Sequence, residues 1–399
     1  MGEINCNIKE SQSGMRDMPM LKGLFVVDVS QLGPGPFSTR LLADLGAEVI
    51  KVEPPHGDPT REIIPGSYEA LNRNKKSIVL NLKMDEGRQI LFKLIEKADV
   101  FVESNRPGVA RRLGIDYDQV KSVNKKIVYC SISGYGQDGP YSAWSGHDIN
   151  YCAVAGISSV SGHPSGPPDI GSGLMIADYC AGLYACLSIL SMLYTHKGGF
   201  LDVAIADSAL SLMAARVNEY IARGKPEKKR FLGRGGYGIF RTKDGKYLSI
   251  SAIEEYFWQR LCRALGHEDL AKDTRLDSWL KRNEHMDEIN GVLSEAFLTR
   301  SRDEWISLLS KVDIPCSPVN FIDDLPHDPH IKHRGLMLER EQNGRRILNI
   351  LFPVRFDGEL LPLRSPAPSY PGQDTDQILV DLGLNEAEIR LLREKGVVG

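Results

Sequence analysis

The sequence has no CxxC pair, no even set of cysteines, no excess of basic charge and no secretory-type opening. Each absence removes a class of function. Seven cysteines stand at 6, 130, 152, 180, 186, 262 and 316. An odd, unclustered set argues against a disulfide framework or a zinc knuckle and for a reducing cytoplasm. Lys plus Arg total 49 against 52 Asp plus Glu, a formal net charge of -3, so no basic field favours nucleic acid or an anionic membrane. The opening MGEINCNIKESQSGMRDMPM is polar, without a basic stretch leading into an apolar core. Residues 1–20 are therefore expected to form a loosely ordered N-terminal extension. One long apolar run, GLMIADYCAGLYACLSILSMLY (173–194), is about long enough to span a bilayer. It contains Asp178 and recurring Gly, Ser and Cys, which favours a buried helix in a large domain over a membrane span.

What is present reads as an ordinary globular chain. Its 399 residues are 42% hydrophobic and 25% charged, and that length favours two domains. GLFVVDVS (23–30), EVIKVE (48–53), DVFVES (99–104) and KIVYCSIS (126–133) read as strands, separated by helical patterns such as STRLLADLGA and EGRQILFKLIEKA. This alternation predicts an α/β fold with a mainly parallel sheet and right-handed crossovers. The charged RGKPEKKR (223–230) reads as a linker. The expected organisation is a large α/β domain over 21–222 and a smaller α+β domain with linkers over 223–335. A C-terminal segment, 336–399, ends in the helix NEAEIRLLREKG and is expected to return to the large domain. In SRDEW (301–305) the spacing predicts a capped helix start.

Several patterns invite chemistry that their context does not support. GRGGYG (233–238) fits GxGxxG, but a linker precedes it and a strand follows, whereas a dinucleotide site needs a preceding strand and a helix N-terminus. It is expected as a flexible glycine loop able to cover a substrate. LGPGPF (32–37) reads as a rigid turn, because Pro34 and Pro36 lack the amides a phosphate cradle needs. It can still line a ligand cleft at the carboxyl edge of the sheet. In HDPHIKH, His327, His330 and His333 invite a metal site, yet Pro329 interrupts the helix and no carboxylate or cysteine pair completes a shell. A surface loop without metal is expected there.

Three ionisable groups stand in apolar company. His147 in SGHDINYCAVAG is either a hydrogen-bonded core histidine or half of an acid/base pair. Asp178, near the start of an apolar helix, faces opposed effects: the helix N-terminus favours its charge and desolvation disfavours it. Glu254 marks a switch from strand to helix. Moving a proton on and off a carbon needs one group on each face of that carbon, with pKa values near the working pH.

Long motifs carry a resemblance. GLFVVDVSQLGPGPFSTRLLADLGAEVIKVEPPHGDPTR, NRNKKSIVLNLK, ADVFVESNRPGVARRLGID, SISGYGQDGPYS, GHDINYCAVAG and DLGLNEAEIRLLREKGVV resemble the family III CoA-transferase superfamily from about residue 21 to the end. The resemblance implies a Rossmann-like large domain, a smaller domain, and a homodimer whose chains interlock. It also implies an acyl-CoA substrate, with coenzyme A carried in by that substrate and no separate cofactor or metal. Within the superfamily, transferases use an aspartate, matched by Asp178, to form a mixed anhydride and then an aspartyl-CoA thioester. GHDINY is similar to the α-methylacyl-CoA racemase branch, where a histidine and the following aspartate (His147 and Asp148) act with the aspartate matched by Asp178 and a glutamate in an AIE motif, here Glu254.

The expected function is therefore 2-methylacyl-CoA racemisation by 1,1-proton transfer between His147 and Asp178, with Asp148 and Glu254 orienting His147. The alternatives are a CoA-transferase working through Asp178 and a non-catalytic CoA-binding subunit. For CoA, the resemblance implies Leu32, Leu80, Lys83, Arg106 and Arg112. One feature leans toward the transferases, since GRGGYG is closer to their glycine loop, and one departs from them, since Pro54 stands where they often carry a basic residue, so adenine stacking there must differ.

Overall fold

The computed structural model describes residues 20–342 and 344–399. Apart from Met20, the expected N-terminal extension lies outside the described residues. The chain separates into two compact units. One holds the chain up to Ala155 together with Gly173–Leu212 and Leu336–Gly399; the other holds Gly156–Ser172 and Met213–Gly335. Relative to the expected boundary at 222, residues 156–172 and 213–222 fall in the second unit.

The first unit is built on six strands: β1 (Phe25–Asp28), β2 (Glu48–Glu53), β3 (Lys76–Val79), β4 (Val100–Glu103), β5 (Val128–Ser133) and β6 (Gly199–Ala204). All neighbouring strands run parallel, in the order β3-β2-β1-β4-β5-β6. Val26 and Val27 lie between Val49 and Ile50 on one side and Val100 and Phe101 on the other. Helices cover both faces of such a sheet, which is why its strands are runs of Val, Ile and Phe rather than alternating patterns. The crossover direction reverses between β1 and β4, where open α/β sheets form their ligand crevice. The short KSIV of β3 gives little sequence signal, because Lys76 and Ser77 leave only two apolar residues.

The outer edge of β3 is covered by the C-terminal segment. The Asn81 N–H donates to the Val397 carbonyl (2.9 Å), Leu80 bridges Val398, and the Ser77 and Val79 amides donate to Asp374 Oδ2 (2.8 Å) and Thr375 Oγ1 (3.2 Å). Ile378, Leu379, Ile389 and Val397 join the core beside Ile78 and Leu94. An otherwise open sheet edge is thereby closed. The terminal helix, Glu386–Glu394, starts with Asn385 and Glu388 in a reciprocal cap.

The long apolar segment forms the helix Ile176–Tyr194. Ala177, Ala181, Ala185 and Ile189, spaced four apart, are fully buried. Gly182 lies where a Cβ would sit 2.8 Å from the Pro34 carbonyl oxygen, so this helix and the Pro34–Asp44 helix approach closely. Among the described residues it is the one helix long and apolar enough to cross a membrane by length and composition. The expectation of a buried helix holds for one face only, because Leu183, Tyr184, Leu187 and Tyr194 are exposed.

The second unit contains an antiparallel sheet of β7 (Tyr237–Arg241), β8 (Tyr247–Ser251) and β9 (Cys316–Pro318), with helices packed around Trp258, Phe297 and Trp305. Ser301 and Glu304 form the expected capping box. The glycine loop differs from the flexible loop expected: Gly235 and Gly236 donate to the Asn283 and Asn290 side chains (both 3.2 Å), and Asn290 returns a bond to the Arg234 carbonyl (2.9 Å). A Cβ on Gly235 would meet the Arg282 carbonyl oxygen at 2.2 Å, so glycine serves close packing there. Nor is KPEKKR merely a solvated linker, since Lys228 Nζ donates to the carbonyls of Ser161, Gly166 and Pro167 at 3.0, 3.1 and 2.7 Å. Pro329 does not break HDPHIKH into a loop. It opens the helix Pro329–Arg334, where the missing amide costs nothing, and Asp328 caps it.

Candidate active site

Asp178 lies in the first turn of the Ile176–Tyr194 helix and is half-buried. Burial, with the nearby Asp148 charge adding to it, pushes its carboxyl up to about 7. Desolvation thus outweighs the helix N-terminus. Gly33 approaches the carboxyl so closely that a Cβ there would lie 3.1 Å from Asp178 Oδ2. The result is a partly desolvated carboxylate beside a backbone with no side chain in the way, able to act as a nucleophile or as a proton carrier near neutrality.

His147 and Asp148 occupy different surroundings from those expected. His147 is exposed and precedes the first residue of the helix Asp148–Val154, and its own N–H donates to Asn150 Oδ1 (3.0 Å). The apolar neighbours that suggested burial, Tyr151 and Cys152, lie a turn further on and point inward. Asp148 Oδ1 accepts from the Asp178 backbone N–H (3.1 Å), and Oδ2 accepts from the Cys152 thiol (3.5 Å). Among the described residues its hydrogen bonds come from the helix that carries Asp178 and from Cys152 in its own helix, not from the His147 ring. Glu254 lies in the second unit, exposed, at the start of the helix Glu255–Leu265.

A cleft of about 290 Å³ opens at the carboxyl ends of β1 to β4 and is lined by Gln31, Pro54, His56, Leu80, Lys83 and Asn105, among others. Leu80 and Lys83 are thus at the cleft. Leu32 adjoins Gln31; it is exposed and held at a φ of 66°, a left-handed backbone that a leucine adopts at a cost of about 1–2 kcal/mol. Arg106 and Arg112 are exposed and flank the lining residues Asn105 and Leu113. Sequence reasoning missed Gly33, Gln31, His56 and Asn105. LGPGPF drew notice as a rigid turn, but only the fold shows Gly33 against Asp178.

Glu53, which lines this cleft, stands among buried ion pairs at the ends of β1 and β2. Lys75 Nζ meets Asp28 (3.1 Å), Lys51 meets Asp58 (2.8 Å), and Arg61 binds both oxygens of Glu53. Burial alone would raise the Glu53 carboxyl, but Arg61 and Lys51 hold it down at about 2. Fixed charges of this kind hold the ends of β1 and β2 in place.

A Rossmann-order parallel sheet, a cleft at its switch point and a desolvated aspartate beside a glycine backbone define an open α/β protein built to handle an extended ligand along its carboxyl edge. A sequence profile described as CoA-transferase family III matches residues 21–375, and the chain belongs to that family. It is 33% identical over 404 residues to the succinyl-CoA:glutarate CoA-transferase of Homo sapiens, covering 97% of this chain and 92% of that protein. It is 32% identical to the acetyl-CoA:oxalate CoA-transferase of Acetobacter aceti, covering 79% and 85%. Among solved structures, a CAIB/BAIF family protein from Brucella suis superposes with a TM-score of 0.80 at 32% identity, over 91% of this chain and 99% of that one.

Proposed function

We propose that this enzyme transfers coenzyme A between carboxylic acids, with Asp178 as the nucleophile. The observation that carries the reading is the desolvated Asp178 carboxyl facing the bare Gly33 backbone. The names of the relatives support it. Neither named relative is a racemase, so the expected proton-transfer activity at His147 has no counterpart among them, and the exposed position of His147 adds no support.

In the proposed reaction the Asp178 carboxylate attacks the thioester carbonyl. The C–S bond breaks, and CoA leaves as thiolate from a mixed anhydride. The thiolate then attacks the Asp178 carbonyl of that anhydride, releasing the first acid as carboxylate and leaving an aspartyl-CoA thioester. The acceptor carboxylate repeats the two steps in reverse order and regenerates ionised Asp178, with no net proton change. Desolvation makes the carboxylate a stronger nucleophile than one in water. CoA would lie in the cleft at Leu80 and Lys83, with Leu32, Arg106 and Arg112 at its margin, and it arrives with the substrate, so no separate cofactor is invoked.

The exposed face of Leu183, Tyr184 and Leu187 supports association with a second copy of the chain, since apolar area of this kind favours an interface. Free cysteines at every described position are in keeping with a cytoplasmic setting. Incubation with an acyl-CoA followed by hydroxylamine or borohydride tests the reaction: modification of Asp178 supports it, and an unmodified Asp178 under turnover overturns it.

A further inference from the structure

The loop between β5 and His147 carries aromatic side chains that the proposed chemistry does not use. Tyr141 and Trp144 are stacked, with centroids 4.1 Å apart and planes 23° from parallel. A tight turn holds them, the Trp144 N–H donating to the Tyr141 carbonyl (2.8 Å). Tyr135 sets its edge against both of them (5.8 and 6.3 Å) and also against Tyr151 (5.2 Å). Tyr151 donates from its hydroxyl to the Gly146 carbonyl (2.7 Å), and the charges of Asp178 and Asp148 reach that phenol. Asp148, which begins the helix after this loop, holds the Asp178 amide. A continuous row of rings therefore runs from the neighbourhood of Asp178 out to Trp144.

The outer end of the row is open. Trp144 is 55% exposed and Tyr141 39% exposed. Water is a poor neighbour for so much apolar ring area. The loop follows β5, the strand next to β4, whose carboxyl end borders the cleft at Asn105. A CoA thioester lying in that cleft with its carbonyl at Asp178 would direct its acyl group toward this loop. Acids with a second carboxylate would need a cation there, and Arg106, whose charge reaches Tyr151, stands beside the cleft rather than on the loop.

Resting on the transferase reading above, we infer that the acid handled at Asp178 carries an aromatic ring a few carbons from its carboxyl, seated against Tyr135, Tyr141 and Trp144. An arylalkanoic acid fits this row, because offset stacking and edge contacts replace charge recognition. Tyr141 and Trp144 then act as specificity residues that contact the tail of the substrate and take no part in the acyl chemistry.

The test compares 3-phenylpropanoyl-CoA with succinyl-CoA, each with its own free acid in isotopically labelled form as acceptor. Asp178 labelling with hydroxylamine is measured alongside turnover. The expected result is a higher kcat/KM for the phenylpropanoyl substrate. Trp144→Ala should lower that value about tenfold while changing the succinyl value less than about threefold, and Trp144→Phe should restore most of the loss. Trp144 is the exposed tryptophan of the four, so phenylpropanoate should shield its fluorescence from acrylamide, and succinate should not. Succinyl-CoA preferred by the native protein, or both substrates losing equally in Trp144→Ala, overturns the inference while Asp178 labelling keeps the transferase reading intact. No labelling of Asp178 by either substrate overturns the transferase reading itself.

Discussion

Asp178 titrates near neutrality because its carboxyl is desolvated beside another carboxylate, and only its ionised form can attack a thioester. Activity limited by this group should therefore rise with pH and level off above an apparent value of about 7. Replacing Asp148 with Asn keeps an acceptor for the Asp178 amide but removes the repelling charge. The profile of Asp148→Asn should shift toward acid, as kcat/KM measured from about pH 5 to pH 9 would reveal. An unshifted profile would mean that Asp148 acts only through the helix start. The same raised carboxyl makes the ionised site a cost to folding. Its proton is held more tightly in the folded chain than in the unfolded one, so this group's contribution falls as pH rises from about 4 through about 7. Asp178→Asn should abolish transfer yet raise the thermal midpoint by at least about 2 °C at pH 8, and by less at pH 5. His147 shows where residue-level reading stopped. The apolar letters around it suggested a dry site, but His147 precedes the helix Asp148–Val154 and is exposed, and only the backbone path reveals that.

At the scale of elements, the site depends on how closely two helices meet. A methyl on Gly182 would collide with the Pro34 carbonyl, and one on Gly33 would press on Asp178. Gly182→Ala should destabilise the first unit by about 1–3 kcal/mol in denaturant titration. Gly33→Ala should leave stability nearly unchanged and lower kcat more than it raises KM for the acyl-CoA, because it disturbs the nucleophile rather than the cleft. Equal loss of stability in both variants would contradict this division. Most elements were legible as patterns, because strands buried on both faces are continuous apolar runs and because caps such as Ser301 with Glu304 announce themselves. The elements that were not legible lacked such signals. β3 is too short and polar at its start, and the helix after Asp328 begins with a proline that reads equally well as a break. The pinning of the glycine loop by Asn283 and Asn290 comes from residues some fifty positions away in the chain, which no local pattern records.

At the scale of the molecule, the chain's end completes the sheet and buried ion pairs support the cleft. Lys75→Met leaves Asp28 buried without its partner and should cost roughly 3–5 kcal/mol of stability. The Glu53 carboxyl, held at about 2, contributes stability that is present above the usual carboxylate range and is lost as pH falls toward 2. The family resemblance in the long motifs carried the fold and the acyl-CoA chemistry. It pointed first to a racemase, because GHDINY and AIE are short local matches, whereas the relatives aligned along most of the chain are named as transferases.

The most direct test of the central claim is peptide mass spectrometry on protein incubated with an acyl-CoA in D2O and quenched during turnover. The transferase account predicts CoA attached to the peptide that carries Asp178, absent in Asp178→Asn and retained in His147→Ala, with the acyl α-carbon free of deuterium. An unmodified Asp178 together with deuterium at the α-carbon, lost in His147→Ala, would contradict it.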